Sequence, residues 1–241
     1  MAFIKIEVTN ESTVLTADEV KAVIPALQTQ VHEHLAPIWG IDADLSYVEP
    51  NQLSDTAWWL VLLDNSDQAG ALGYHDVTSN FMPLGKVFAG TDKQFGQLWT
   101  VTASHELLEM LGDPEINTVI FDQPTATTGV LYAQELCDTC EADDFAYPID
   151  GVQVSDFVFP AWFQPNRTAA DSQYDYGRHI KNPLELLPGG YIGVFDVTAG
   201  IGWTQKTADE RAEYRLRAHV GSRRERRRIP RDQWLPSRRR A

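Results

Sequence analysis

The sequence has little cysteine and lacks long apolar runs. Two cysteines in 241 residues are too few for a disulfide-stabilised scaffold. No stretch approaches the roughly 20 apolar residues of a membrane-spanning helix, and the N-terminus has neither the basic start nor the apolar block of a secretory signal. These absences predict a cytoplasmic protein without a membrane partner, with a virion as the alternative location.

Several common catalytic and nucleotide-binding motifs are also missing. The chain contains no P-loop and no G-x-G-x-x-G turn, which argues against the common phosphate-binding loops. Ser104 precedes a histidine, but no G-x-S-x-G surrounds it, so a serine-hydrolase elbow is excluded.

The composition is that of a globular protein, but its charge is unevenly distributed. Hydrophobic residues make up 43% of the chain, which excludes disorder, collagen and coiled coil as the dominant state. The net charge is −14, yet residues 211–241 carry twelve arginines against three acids. We therefore predict a domain over residues 1–206 and an arginine-rich, partly helical tail over 207–241. An acidic partner or nucleic acid would suit this tail, and a solvated tail or one folded back on the acidic domain is the alternative.

The spacing of apolar residues predicts a mixed α/β fold, an α+β arrangement with a mixed sheet. Thr16 and Glu19 match a capping box that opens a helix. A second helix is predicted over 95–111, ended by Gly112 and Pro114. Strands are predicted at 3–9, 45–48, 58–63, 71–77 and, as a short edge strand, 86–89. The C-terminal half reads as loop-rich, with short strands near 117–121, 129–134, 152–159 and 191–197.

The second helix carries the residues with the clearest chemistry, His105-Glu106-Leu-Leu-Glu109. His105 and Glu109 are four residues apart and share one helix face, where an imidazole and a carboxylate can hold one metal ion. Glu106 points about 100° away, in the position where zinc peptidases of the H-E-x-x-H type place their general base. A carboxylate in place of the second histidine weakens the metal as a Lewis acid and suits a harder metal than zinc. The alternative is an amphipathic helix whose polar residues face solvent.

A downstream segment supplies further candidate ligands. Glu135 follows Glu109 by 26 residues and is the first candidate for a third ligand, with Asp138 as its competitor. Cys137 and Cys140 form a lone C-x-x-C, which we expect to be buried thiols or a local disulfide, with half a zinc site or a redox pair as alternatives. A further alternative is an acidic calcium site, whose ligands would be Asp138, Glu141, Asp143 and Asp144.

Together, His105-Glu106-x-x-Glu109, Asp113-Pro114 and Glu135-x-x-Asp138-x-Cys140 resemble a pattern in zincin-like bacterial and phage proteins and in the exordium (phosphate-induced) proteins of plants. The resemblance covers about residues 55–165. It implies a zincin-like lobe with an active-site helix and a metal, Zn²⁺ or another divalent ion, on His105, Glu109 and a downstream acid. It also implies Glu106 as the base and an edge strand, here 86–89, that aligns a peptide substrate.

Part of the related metzincin pattern, H-E-x-x-H-x-x-G-x-x-H/D, is also present and bears on the third ligand. Gly112 matches the metzincin glycine and Glu115 falls at the last ligand position, so Glu115 is a third candidate ligand. The methionine turn of that group is missing.

These observations favour a metal-dependent hydrolase that cleaves a peptide or a similar amide. The alternative is a catalytically inactive structural or virion-associated protein that acts through its basic tail. His75 is expected to be a structural histidine, with hydrogen bonding to an oxyanion or to a metal ligand as the alternative. Asp113 is a candidate acceptor for the ring N–H of His105.

Overall fold

The first half of the chain builds a five-stranded sheet, and the second half adds a smaller antiparallel sheet and long loops. A computed structural model describes residues 4–67, 71–168 and 171–208. The helices are α1 (Ala17–Thr29), α2 (Ala36–Trp39), α3 (Ala89–Phe95) and α4 (Trp99–Gly112). The strands are β1 (Ile4–Asn10), β2 (Ala43–Tyr47), β3 (Trp58–Leu63), β4 (Gly73–Val77), β5 (Pro83–Phe88), β6 (Val119–Thr125), β7 (Thr128–Ala133), β8 (Tyr147–Ile149), β9 (Val152–Val154), β10 (Tyr191–Asp196) and β11 (Trp203–Thr207). The predicted mixed α/β class is confirmed.

The larger sheet has the strand order β2-β1-β3-β5-β4. Its first four members are parallel, whereas β4 runs antiparallel to β5 at the edge. Strand β3 is apolar throughout because both faces of the sheet are covered there. Leu60 and Leu62 pack into the main core, while Trp59 and Val61 pack into a separate cluster on the other face.

The start of α1 follows the prediction. The side chain of Thr16 accepts a hydrogen bond from the Glu19 backbone N–H, and the Glu19 carboxylate accepts one from the Thr16 N–H. The chain continues from α1 into a π-helical turn, Gln30–Leu35. The buried side chain of Gln30 donates to the Ser155 carbonyl at 2.9 Å, which ties this turn to the loop-rich half.

One prediction before α4 is wrong, and another needs a later starting residue. Residues 86–89 do not form an edge strand, because β5 lies between β3 and β4 and Ala89 already begins α3. The helix predicted over 95–111 is present as α4 but begins later than predicted. Gly96, at φ +69°, ends α3 in the left-handed conformation, and α4 starts anew at Trp99.

The second half is held by a four-stranded antiparallel sheet of order β11-β10-β7-β6 and by a second hydrophobic cluster around Trp162 and Phe163. The sequence does not predict β8 or β11. Of the strand predicted over 152–159, only β9 forms, and the segment 155–159 is not a strand. No helix in the described part of the chain is long and apolar enough to cross a bilayer. The predicted partly helical tail falls almost entirely outside the described residues, from 209 onward.

A pair of buried aspartates, Asp156 and Asp175, joins two loops of this half. Asp156 Oδ1 accepts from the backbone N–H groups of Phe157 and Gly177, at 2.8 and 2.9 Å. Asp175 accepts from the N–H groups of His179 and Ile180. Burial, together with the neighbouring Asp175, raises the pKa of Asp156 from 3.8 to about 8. Asp156 is therefore protonated in the folded protein at neutral pH.

This raised pKa predicts a loss of stability as pH increases. Between about pH 4 and pH 8 the folded chain holds a proton on Asp156 that the unfolded chain has released, so the free energy of unfolding falls over that range. Asp156→Asn keeps a neutral side chain of the same shape. We expect urea unfolding at about pH 5 and pH 8 to show a smaller loss of stability in this variant than in the wild type.

The control for this comparison is Asp144→Asn, which changes an exposed aspartate. It should retain the wild-type dependence of unfolding on pH. An unchanged pH dependence in Asp156→Asn would contradict the assigned pKa.

Candidate metal centre

Helix α4 is a buried helix that carries ionisable residues. Every residue from Val101 to Gly112 is buried, including His105, Glu106 and Glu109. The helix packs against β4 and β5 on one side and against β9 on another. The alternative prediction of a solvated polar face is therefore wrong for this helix, and its charged groups require partners inside the protein.

The predicted pair on α4 meets a carboxylate from the segment after β7. His105 Nε2 lies 3.3 Å from Glu109 Oε2 and 3.4 Å from Asp138 Oδ1. One ligand atom from each of these three residues lies within 4.8 Å of the others. An imidazole and two carboxylates at this spacing fit a divalent cation.

The two carboxylate oxygens of Glu109 have different surroundings. Oε1 accepts from the backbone N–H groups of Cys137 and Asp138, at 3.3 and 3.2 Å. Oε2 faces the imidazoles of His105 and His75. The backbone of the downstream segment thus fixes the orientation in which Glu109 presents its second oxygen.

A second group of donors lies beside the first and is centred on His75. This residue is fully buried on β4, with Nδ1 3.6 Å from Glu109 Oε2 and 4.0 Å from Glu106 Oε2. Its Nε2 lies 3.7 Å from Glu135 Oε2. His75, Asp113 and Glu135 form one set of donor atoms within 4.8 Å, and His75, Glu106 and Glu109 form another.

Of the three candidates for a third ligand, Asp138 is grouped with His105 and Glu109. Glu135 belongs instead to the set around His75. Glu115 is exposed beyond the end of α4 and belongs to none of the three sets found among the described residues. Asp113 Oδ1 accepts from the N–H groups of Asn117 and Thr118, so it organises the turn after the helix.

Two glycines make room for the site beneath α4. A Cβ atom on Gly73 would stand 2.7 Å from the Glu106 side chain, and one on Gly85 would stand 2.8 Å from the Leu60 side chain and within 3.6 Å of Glu106. Gly85 is the register partner of His75 on the neighbouring strand. Sequence reasoning gave His75 no ligand role, because its place next to α4 depends on this strand pairing.

The side chains of His105, Glu109 and Asp138 shift one another's pKa values. Burial disfavours the charged imidazole of His105, but the carboxylates of Glu109 and Asp138 outweigh it and hold its pKa well above the usual range. Burial also disfavours the charge on Glu109, yet His105 and His75 keep its pKa well below the usual range. Burial and the Glu109 charge raise the pKa of Asp138. Without a cation, His105 and Glu109 therefore form an ion pair.

The cysteines of the C-x-x-C are both free and buried. Burial raises the pKa of each thiol well above its ordinary value, so both stay protonated at neutral pH. Neither belongs to any of the metal-type groups in the described residues. They are buried thiols, one of the two arrangements expected from the sequence.

The four acidic residues considered as calcium ligands do not converge on one site. Asp138 faces His105, whereas Asp143 Oδ2 accepts from the Leu98 N–H just before α4. Asp144 is exposed, and Asp138 is the only one of the four residues in a metal-type group of the described part of the chain.

Comparison with known proteins finds no matching protein-family model, no matching curated protein and no matching solved structure.

The geometry predicts which third ligand matters. Asp138→Asn removes a carboxylate from the group that contains His105 and Glu109, so we expect it to weaken the binding of Zn²⁺ or Mn²⁺ there by more than about tenfold. Competition with a chromophoric chelator measures this affinity. Glu115→Gln, which alters an exposed side chain, should retain wild-type affinity. Equal losses in the two variants would contradict the assignment.

Proposed function

We propose that this protein is a metal-dependent hydrolase that cleaves a peptide or a similar amide bond. The observation that carries the proposal is the convergence of His105 Nε2, Glu109 Oε2 and Asp138 Oδ1 at the buried helix α4. These three side chains would hold the cation. A bound divalent ion would polarise the scissile carbonyl and lower the pKa of a water molecule.

Glu106 is the proposed general base. Its carboxylate lies next to Glu109 of the His105–Glu109–Asp138 group. One ligand atom each of Glu106, Glu109 and His75 lies within 4.8 Å of the other two. In this role it accepts a proton from the attacking water and returns it to the leaving nitrogen. The Glu106 side chain is held between α4 and the small residue Gly73, which limits its movement.

The remaining exposure of the cluster indicates where a substrate would enter. The side chains of His105 and Asp138 are 9% and 8% exposed, whereas that of His75 is 1% exposed. All of these side chains are buried, and those of His105 and Asp138 lie slightly nearer to solvent than that of His75. A substrate carbonyl would approach from the more exposed side.

The resemblance to zincins assigns an edge strand to the substrate. Because residues 86–89 are not at the edge, the counterpart in this protein would be β4. This strand carries His75, and its antiparallel pairing with β5 brings it beside α4. An extended peptide could align with such a strand through main-chain hydrogen bonds.

Replacement of the proposed base tests the function. We expect the wild-type protein loaded with Zn²⁺ or Mn²⁺ to cleave members of a quenched-fluorescent peptide library. Glu106→Gln should lower kcat/KM by about 10²–10⁴-fold, because it removes the proton acceptor but keeps the size of the side chain. Metal affinity at the His105–Glu109–Asp138 group should stay within a few-fold of wild type.

The matched control is Glu33→Gln, an exposed glutamate in the π-helical turn, which should keep full activity. Cleavage by Glu106→Gln at the wild-type rate would refute the role of Glu106. A wild-type protein that binds metal but cleaves no member of the library would favour the non-catalytic alternative.

A further inference from the structure

We infer that His75, Asp113 and Glu135 form a second divalent-cation site beside the His105–Glu109–Asp138 group, so that the centre holds two ions. This inference, like the proposed function, rests on a cation held by His105, Glu109 and Asp138. It does not require the protein to be a hydrolase. It assigns a ligand role to His75 and Asp113 and places Glu135 on a different ion from Asp138.

The donor geometry gives the second site its own ligand set. One atom each from His75, Asp113 and Glu135 lies within 4.8 Å of the other two, and all three residues are buried. They come from β4, from the end of α4 and from the segment after β7, so distant parts of the chain converge here. An imidazole with two carboxylates is a set that Zn²⁺, Mn²⁺ and Fe²⁺ accept.

The imidazole of His75 separates the two sites. Its Nε2 faces Glu135 at 3.7 Å, while its Nδ1 faces Glu109 at 3.6 Å. Glu109 Oε2 in turn lies between His75 and His105. The ring of His75 therefore lies between the Glu109 carboxylate and the second donor set, and each ion has its own ligands.

The charge of the cluster favours two cations over one. Five carboxylates, those of Glu106, Glu109, Asp113, Glu135 and Asp138, are buried around two imidazoles. With all five ionised and both imidazoles neutral, one divalent ion leaves three negative charges in the interior, whereas two ions leave one. Uncompensated buried charge is costly, so the second ion stabilises the cluster.

Basic side chains do not supply this compensation within the described ranges. Lys86 is the only buried lysine or arginine among them, and its Nζ donates to Asp67 at 2.6 Å. It lies on the opposite face of β5 from Gly85, whose missing Cβ faces Glu106. The compensating positive charge therefore has to come from protons or from metal ions.

The ligand inventory also fits a two-ion centre. With Glu106 left as the base, the two sets comprise two histidines and four carboxylates. The same numbers of imidazoles and carboxylates bind the paired ions of di-iron and di-manganese carboxylate proteins, there on helical bundles. Asp113 is held for this task by the N–H groups of Asn117 and Thr118 on its Oδ1.

Metal stoichiometry tests the inference. The full-length protein is stripped with a chelator, loaded with Zn²⁺ or, separately, Mn²⁺, desalted and measured by elemental analysis. We expect about two equivalents in the wild type and about one in Glu135→Gln, which keeps the shape of the side chain but removes its charge. Asp144→Asn, an exposed carboxylate in the neighbouring segment, is the matched control and should retain about two equivalents.

The outcomes separate the second site from the first. About one equivalent in both the wild type and Glu135→Gln would overturn the second site and leave the first intact. No metal in any protein would overturn both sites. Peptide cleavage that fails although two ions bind would refute the proposed function and leave this inference standing.

A measurement on the wild type alone covers the case in which Glu135→Gln does not fold. Mn²⁺ is added stepwise to the metal-free wild type, and the paramagnetic resonance signal of free aqueous Mn²⁺ should stay low until about two equivalents are present. A free-ion signal that rises after about one equivalent would overturn the second site.

Discussion

The structure depends on the burial of α4, a helix that carries His105, Glu106 and Glu109 into the interior. Charged groups there are stable only if neighbours supply hydrogen bonds and compensating charge. The surrounding parts of the fold meet that demand. The backbone after β7 donates two N–H groups to Glu109, and His75 on β4 approaches the same carboxylate from the sheet.

The same constraint explains small residues that carry no chemistry. Gly73 leaves room for the Glu106 side chain, and Gly112 allows Leu136 to pack against the end of the helix. The Leu136 segment is held further, since Leu136 accepts from the Val158 N–H and Gln134 donates to the Gly112 carbonyl. Close packing of this segment brings Asp138 to His105.

Local features of the fold could be predicted from the sequence, whereas relations between distant segments could not. The capping box at Thr16 and the apolar strand β3 depend on neighbouring residues, and both were predicted correctly. The sequence also placed His105 and Glu109 on one helix face, because that follows from helical spacing. The order of the strands in the sheet could not be predicted from the sequence. The prediction put residues 86–89 at the edge, but the edge strand is β4, and β5 lies between β3 and β4.

Choosing among ligands required the tertiary structure. Glu135 and Asp138 are three residues apart, and only the course of the chain after β7 assigns them to different donor sets. His75 depends even more on context, because its approach to Glu109 requires the pairing of β4 with β5.

X-ray absorption at the metal edge of the zinc-loaded protein tests whether His105, Glu109 and Asp138 hold the ion. We expect a coordination shell of nitrogen and oxygen atoms at about 2.0–2.2 Å, with scattering from imidazole and none from sulfur. A sulfur shell at about 2.3 Å would contradict it, because the thiols of Cys137 and Cys140 would then hold the ion.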